Sequence, residues 1–215
     1  MSARAVDERL VIRPVGDRAL VADLADAVGL RSLTATLAAA PPPGTLDLVP
    51  GANSLLLTVA RGTDLAAVAR AVRAAAAQVG ERPADPAPAT PVVIDVRYDG
   101  PDLASAAQSA GLTPGELVAR HTAEPWTVGF MGFAPGFGYL VGGDDWPIVP
   151  RREHPRRAVP AGSVALAGRY SGVYPRESPG GWQLIGTTSA ALWDLDRAPP
   201  ALLAPGTPVR FRESG

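Results

Sequence analysis

Four arginines stand within seven residues in the stretch "VPRREHPRRAVPAGSVALAG": Arg151, Arg152, Arg156 and Arg157. A guanidinium fork meets a carboxylate or a phosphoryl group at two points, so such a run suits an anionic ligand. Shortly after it, "SGVYPRESPGGWQLIGTT" carries Tyr174, the pair Gly180-Gly181 and Trp182. Adjacent glycines let backbone N–H groups come close to an anion. Tyr and Trp offer apolar faces with a polar tip. Upstream, "GFMGFAPGFGYL" (129–140) holds four Gly, four aromatic residues and one Pro, with no charge. It reads either as a buried strand pair joined by a turn or as the floor of a binding site. The competing reading of the arginine run is a solvated loop, and that of the glycines is tight turning.

Other chemistries are narrowed by what the sequence lacks. His121 and His154 have no H-x-x-x-H or related spacing, so no metal site is expected. Ser163 and His121 could in principle act as nucleophile and base, but "AGSVA" lacks the second Gly of a G-x-S-x-G elbow. No G-x-G-x-x-G lies between a strand and a helix, so a dinucleotide site has no support. Without cysteine, disulfides, thiolate nucleophiles and zinc–thiolate sites are excluded. All 20 basic residues are Arg, which rules out a Schiff-base lysine and a P-loop lysine. Any ATP phosphates must then be met by Arg, backbone N–H groups or a partner protein. A net charge of −1 creates no general field for nucleic acid or an acidic membrane. "MSARAVDERL" has no apolar core of signal-peptide length, and no run of 18 apolar residues follows. The expectation is a soluble, cytoplasmic protein.

The elements that must position these residues come in two styles. Residues 1–80 alternate strand and helix signals in the order ββαββα. "RLVIRPVG" and "RALVADL" flank the turn pair Gly16-Asp17, and "LDLVPGANSLLLTV" holds two strands around Pro50-Gly51. Val28, Leu30, Leu33 and Leu37 recur at helical spacing, as do Leu65, Val68, Val72, Ala76 and Val79. The second helix has Thr63 or Asp64 as N-cap and Gly80 as its stop. This is the pattern of a small α+β sandwich with its helices on one sheet face. Residues 81–91, "ERPADPAPATP", read as a semi-rigid Pro/Ala-rich linker. Residues 92–215 open with a strand and two short helices, the second capped by Thr113 with Pro114 behind it. Short strands with dense Gly and Pro follow, the signature of a β-barrel or sandwich.

The ordered series "HTAEPWTVGFMGFAPGFGYL", "VPRREHPRRAVPAGSVALAG", "GVYPRESPGGWQLIGTT" and "APGTPVRF" resembles the KipI/allophanate hydrolase subunit 1 family. Its members include the B component (PxpB) of an ATP-dependent 5-oxoprolinase. The resemblance spans nearly the whole chain and is densest from His121 to Thr187. It implies an α+β fold: an N-terminal sandwich of ferredoxin-like type and a C-terminal cyclophilin-like β-barrel. It also implies partners, a larger C component (allophanate hydrolase subunit 2-like) and an A component needed for activity. ATP is then the co-substrate for opening 5-oxoproline to glutamate. Other relatives imply other readings, an inhibitor of a sensor histidine kinase or a carboxyltransferase part of the urea carboxylase type.

On the matching positions, the resemblance makes Arg151 and Arg156 candidates to hold a substrate carboxylate or phosphoryl group. His121 is a candidate to move a proton or orient a neighbour, and Gly180-Gly181 to offer donors to an oxyanion. Tyr139, Tyr174 and Trp182 would wall the pocket. Phe133, Pro135, Gly136 and Phe137, with Pro160, Gly162, Ser163 and Thr187, are the remaining family positions assigned to the substrate site. Departures occur at Gly138, Tyr170-Ser171, Trp126 and Thr187. Those at polar positions leave room for a different substrate.

Overall fold

The alternating signals of the first eighty residues resolve into two hairpins and two helices. The computed structural model describes residues 10–25, 27–79 and 90–215. Strands β1 (Val11–Pro14) and β2 (Ala19–Asp23) are followed by helix α1 (Ala27–Ala39). Strands β3 (Thr45–Pro50) and β4 (Ser54–Val59) are followed by helix α2 (Leu65–Gln78). The sheet is antiparallel in the order β1-β2-β4-β3. Leu20, Ala22, Leu55, Leu57 and Val59 occupy one face at period two. They share a buried cluster with Leu30, Leu33 and Leu37 of α1 and Val68, Val72 and Ala76 of α2. Asp64 is the N-cap, its carboxylate accepting from the Ala66 N–H at 2.9 Å. Val28 carries the right spacing for the apolar face of α1 but is exposed, one residue into the first turn. Gly80 and residues 81–89 of the expected linker lie outside the described residues.

Residues 89–215 form a separate compact unit. In chain order it holds β5 (Val92–Val96), α3 (Leu103–Ser109), α4 (Pro114–Ala123), β6 (Trp126–Met131) and β7 (Gly138–Val141). Then come β8 (Arg156–Val159), β9 (Ser163–Ala167), β10 (Tyr170–Val173), β11 (Ser178–Gly180), β12 (Gln183–Thr187) and β13 (Pro208–Glu213). Seven strands make one sheet in the order β12-β9-β10-β7-β6-β13-β5, and β8 pairs with β11 in a separate two-stranded piece. The Thr113 cap works as a full capping box, with Glu116 reaching back to the Thr113 N–H at 2.8 Å.

The seven-stranded sheet curls until its edges meet. Arg97 and Thr187 exchange both backbone hydrogen bonds, at 2.9 and 2.8 Å. The seam continues as Gly100 N–H to Ile185 C=O at 3.2 Å and Asp102 N–H to Leu184 C=O at 2.9 Å. This near-closure needs two glycines. A Cβ on Gly100 would lie 2.3 Å from the backbone of Leu184 and Ile185, and one on Gly186 would lie 2.5 Å from the Arg97 carbonyl oxygen. Inside sit Trp126, Trp146, Phe211, Leu117, Leu140 and Ile185. Strand β9 is buried along its whole length. Val164 and Leu166 face the interior core, while Ala165 and Ala167 join an outer cluster with Phe137, Tyr174, Trp182 and Val159. The β8–β11 piece contributes Val159 to that outer layer.

Gly186→Ala should therefore lower the urea midpoint of this unit, at a cost of about 1–3 kcal/mol from overpacking against backbone. Gly115→Ala, where an added Cβ meets nothing within 4 Å, should leave it unchanged or raised.

Candidate functional site

One carboxylate organises the arginine run. Asp102 precedes α3 and is only 4% exposed. Arg152 donates to it through Nη1 at 2.8 Å, and Arg156 donates through Nη1 and Nη2 at 2.8 and 2.9 Å. The Leu184 N–H supplies a fourth bond at 2.8 Å. Burial alone would raise the carboxyl pKa, but the Arg156 fork, the Leu184 amide and the two guanidinium charges outweigh it, holding Asp102 below the usual carboxylate range. Arg156, assigned by sequence to a ligand, thus has its fork committed to Asp102. Arg151 is exposed and makes no ion pair among the described residues.

The glycine pair is tied into the same corner. Gly180 pairs with Arg156 across β11–β8, and the Arg152 N–H donates to the Gly181 carbonyl at 2.8 Å. A Cβ on Gly180 would fall 2.2 Å from the Tyr174 hydroxyl, so glycine lets the phenol lie against the strand. Burial pushes the Tyr174 phenol up, opposed by the Trp182 backbone amide and by the charges of Arg151 and Arg156. Arg151, Arg156 and Tyr174 therefore share one electrostatic neighbourhood.

The aromatic stretch supplies floor and lip. Phe137 is buried, with the rings of Tyr139, Tyr174 and Trp182 5.0–5.5 Å away in edge contacts. Tyr139 is half-buried and stacks on Phe130 at 4.3 Å. Pro135 is exposed and Gly136 buried at the turn, where φ of Gly136 is +84°. Phe133 has φ of +66°, and the Ala134 N–H bonds the Gly132 carbonyl at 2.7 Å across it. That is a γ-turn of the rare strained sense. It presents a ring 55% exposed to solvent, beside an open apolar groove of about 550 Å³. Trp193, Leu203 and Pro205 form the far wall.

Four further assigned positions build turns and the seam. Gly162 (φ +77°) donates to the Tyr174 carbonyl at 2.8 Å and accepts from the Thr188 N–H at 2.8 Å. The Ser163 hydroxyl is buried and donates to the Pro160 carbonyl at 2.8 Å, closing the turn that exposed Pro160 begins. The Thr187 hydroxyl donates to Asp99 at 2.9 Å beside the seam. Their backbones brace Tyr174 and β12, and their polar side-chain atoms are already engaged.

His121 belongs to the interior. It ends α4 fully buried, stacked on Phe211 at 4.3 Å. Nδ1 is 2.7 Å from the Tyr98 hydroxyl and Nε2 is 2.8 Å from the Ser171 hydroxyl. Burial drives its pKa down to about 3, so the ring is neutral. With both nitrogens occupied and no exposed edge, it orients Tyr98 and Ser171 rather than meeting a ligand. Asp102 is the residue that the sequence reading missed. A lone Asp before a short helix carries no motif, and only the fold brings it to the arginines. Among the described residues, no group of three or more His, Asp or Glu is placed to hold a metal ion. No described helix is long and apolar enough to cross a membrane.

An α+β chain with a nearly closed barrel-like sheet has the fold of carboxyltransferase-domain proteins. The chain belongs to that family: the model described as carboxyltransferase domain, subdomain C and D, matches residues 10–203. The resemblance to the KipI/allophanate hydrolase subunit 1 family is borne out with it. The chain is 40% identical over 171 residues to a protein from Escherichia coli O157:H7 named as the B subunit of 5-oxoprolinase, covering 79% of this chain and 78% of the other. Among solved structures it is similar to TTHA0988 at 34% identity and a TM-score of 0.73, over 95% of this chain. It spans only 40% of that longer chain. The urea amidolyase of K. lactis shares the fold at 16% identity and a TM-score of 0.75, over 95% of this chain and 15% of that one.

The depressed His121 pKa has a direct stability consequence. The unfolded state binds a proton near pH 6.5 and the folded state does not until about pH 3. Stability is therefore full above pH 6.5 and falls as pH drops below it, by up to about 1.4 kcal/mol per unit. All four tryptophans lie in residues 89–215, so their fluorescence follows this unit. The urea midpoint should fall from pH 7 to pH 5, and His121→Gln should flatten that slope.

Proposed function

We propose that this chain is the B component of an ATP-dependent 5-oxoprolinase, working with separate A and C components to open 5-oxo-L-proline to L-glutamate. The observation that carries this reading is the 40% identity, over most of both chains, to the E. coli O157:H7 protein of that name. The site chemistry supports it. The substrate offers one carboxylate and a flat five-membered lactam. Arg151, which has no ion pair among the described residues, suits the carboxylate. Half-buried Tyr139 and the Phe137–Tyr174–Trp182 floor suit the ring. Lactam hydrolysis is uphill when uncoupled, and ATP as co-substrate of the complex supplies the drive. Transfer of the γ-phosphoryl group to the lactam oxygen leaves ADP and makes the ring carbon electrophilic. Water adds to that carbon and the C–N bond breaks, so the ring nitrogen becomes the glutamate amine and the side-chain carboxyl is left as an acyl phosphate. A second water hydrolyses that acyl phosphate, releasing phosphate and L-glutamate. Backbone donors at Gly180-Gly181 stabilise negative charge developing near that carbon.

The strained, exposed Phe133 and the groove beside it are assigned to docking of the C component. In TTHA0988 the similar region is joined to a further three-fifths of one chain, which supports a large neighbour for this unit. Phe133 is the sort of aromatic anchor that dominates such contacts.

Co-expression with candidate A and C components should yield glutamate from 5-oxoproline only when ATP is added. Turnover by this chain alone would overturn the shared-site reading. Arg151→Ala should raise KM for 5-oxoproline at least tenfold with assembly intact; unchanged turnover would remove Arg151 from the site. Phe133→Ala should preserve the thermal midpoint of the isolated chain yet weaken its association with the C component by tenfold or more, measured by calorimetry.

A further inference from the structure

We infer that Asp102 is the positioning residue of the arginine segment, fixing where residues 151–157 stand on the barrel and hence where an anionic substrate group meets Arg151 and Tyr174. The identity of that anion, a ring carboxylate, rests on the 5-oxoprolinase reading. The geometric argument is independent of it. A carboxylate has about four lone-pair sites, and Asp102 fills them with four donors. It is saturated, so it neither binds ligand nor takes a proton from one.

What Asp102 does is join elements. Its own N–H is bonded to Leu184 at the seam, so its backbone sits at a rigid point. Its side chain gathers Arg152 and Arg156 from the two ends of one turn. Arg152 is bonded through its backbone to Gly181, and Arg156 is paired with Gly180. Gly180 in turn lies under the Tyr174 hydroxyl. A single carboxylate thus sets the height of the arginine segment, the glycine pair and the phenol together. Two guanidinium groups share one negative charge there, so the corner stays cationic after pairing and keeps its attraction for an anion. Buried ion networks of this kind stabilise poorly against apolar packing, and their use is in fixing one geometry.

The test compares Asp102→Asn, Asp102→Glu and Arg152→Gln with the wild-type chain, in the reconstituted complex and alone. In the complex, Asp102→Asn should raise KM for 5-oxoproline tenfold or more while KM for ATP stays within twofold, and Asp102→Glu should recover part of the loss. In the chain alone, trypsin should cut after Arg157 at least tenfold faster in Asp102→Asn. A folded variant whose KM for 5-oxoproline is unchanged, or that loses kcat at constant KM, overturns the inference. If Asp102→Asn does not fold, Arg152→Gln, which removes one of the four bonds, carries the same KM measurement. If the wild-type complex forms no glutamate, the 5-oxoprolinase reading fails by itself. Proteolysis then decides the positioning role, and cleavage at the wild-type rate overturns it.

Discussion

An open sheet of seven strands leaves two rows of unpaired amides and carbonyls, and in the barrel unit those rows are brought together at Arg97 and Thr187. The outer layer of this unit depends on how closely that seam approaches. The approach is close enough that Gly100 and Gly186 have no room for a methyl group. Because the chain runs straight from the seam into α3, Asp102 is delivered to the outer face with its carboxylate against Leu184. The arginines follow the carboxylate, and the β8–β11 piece follows the arginines. The outer aromatic layer is then sandwiched, which is why β9 is buried on both faces.

Two polar systems result, and they differ in kind. The interior one, Tyr98–His121–Ser171, is uncharged and enclosed by aromatic rings. It satisfies hydrogen-bonding groups that would otherwise be costly among Trp126, Trp146 and Phe211. The outer one is charged, part-exposed and carries more positive than negative groups. A neutral histidine inside and a saturated carboxylate outside leave the corner's proton chemistry to ligands and phenols.

Much of the fold was legible in the sequence because apolar strand composition, turn residues, helical periodicity and caps are local. The strand runs from Trp126 to Thr187, the Thr113 capping box and the helix faces of Leu30–Leu37 and Val68–Ala76 all follow from neighbours within a few residues. The pairing of β8 with β11 was not legible, since neither "RRAV" nor "SPG" alternates, and long-range pairing alone makes them strands. The candidate site was legible as a set of residue types, not as an arrangement. Arg151 and Arg156 look alike in sequence, yet one is exposed and the other is spent on Asp102, because partner choice depends on a residue about fifty positions away. His121 reads as a possible proton carrier for the same reason: a sequence does not state which side of a barrel wall a ring faces.

The backbone at Phe133 places two selective pressures in opposition. A glycine there would relieve the left-handed torsion and remove exposed apolar surface, so a screen for expression or heat resistance would favour it. The same change would erase the most prominent ring on the groove's rim. Variants of this chain recovered by stability alone should thus drift toward losing the ring, and on the docking role proposed for Phe133 its retention would require selection on the assembled complex.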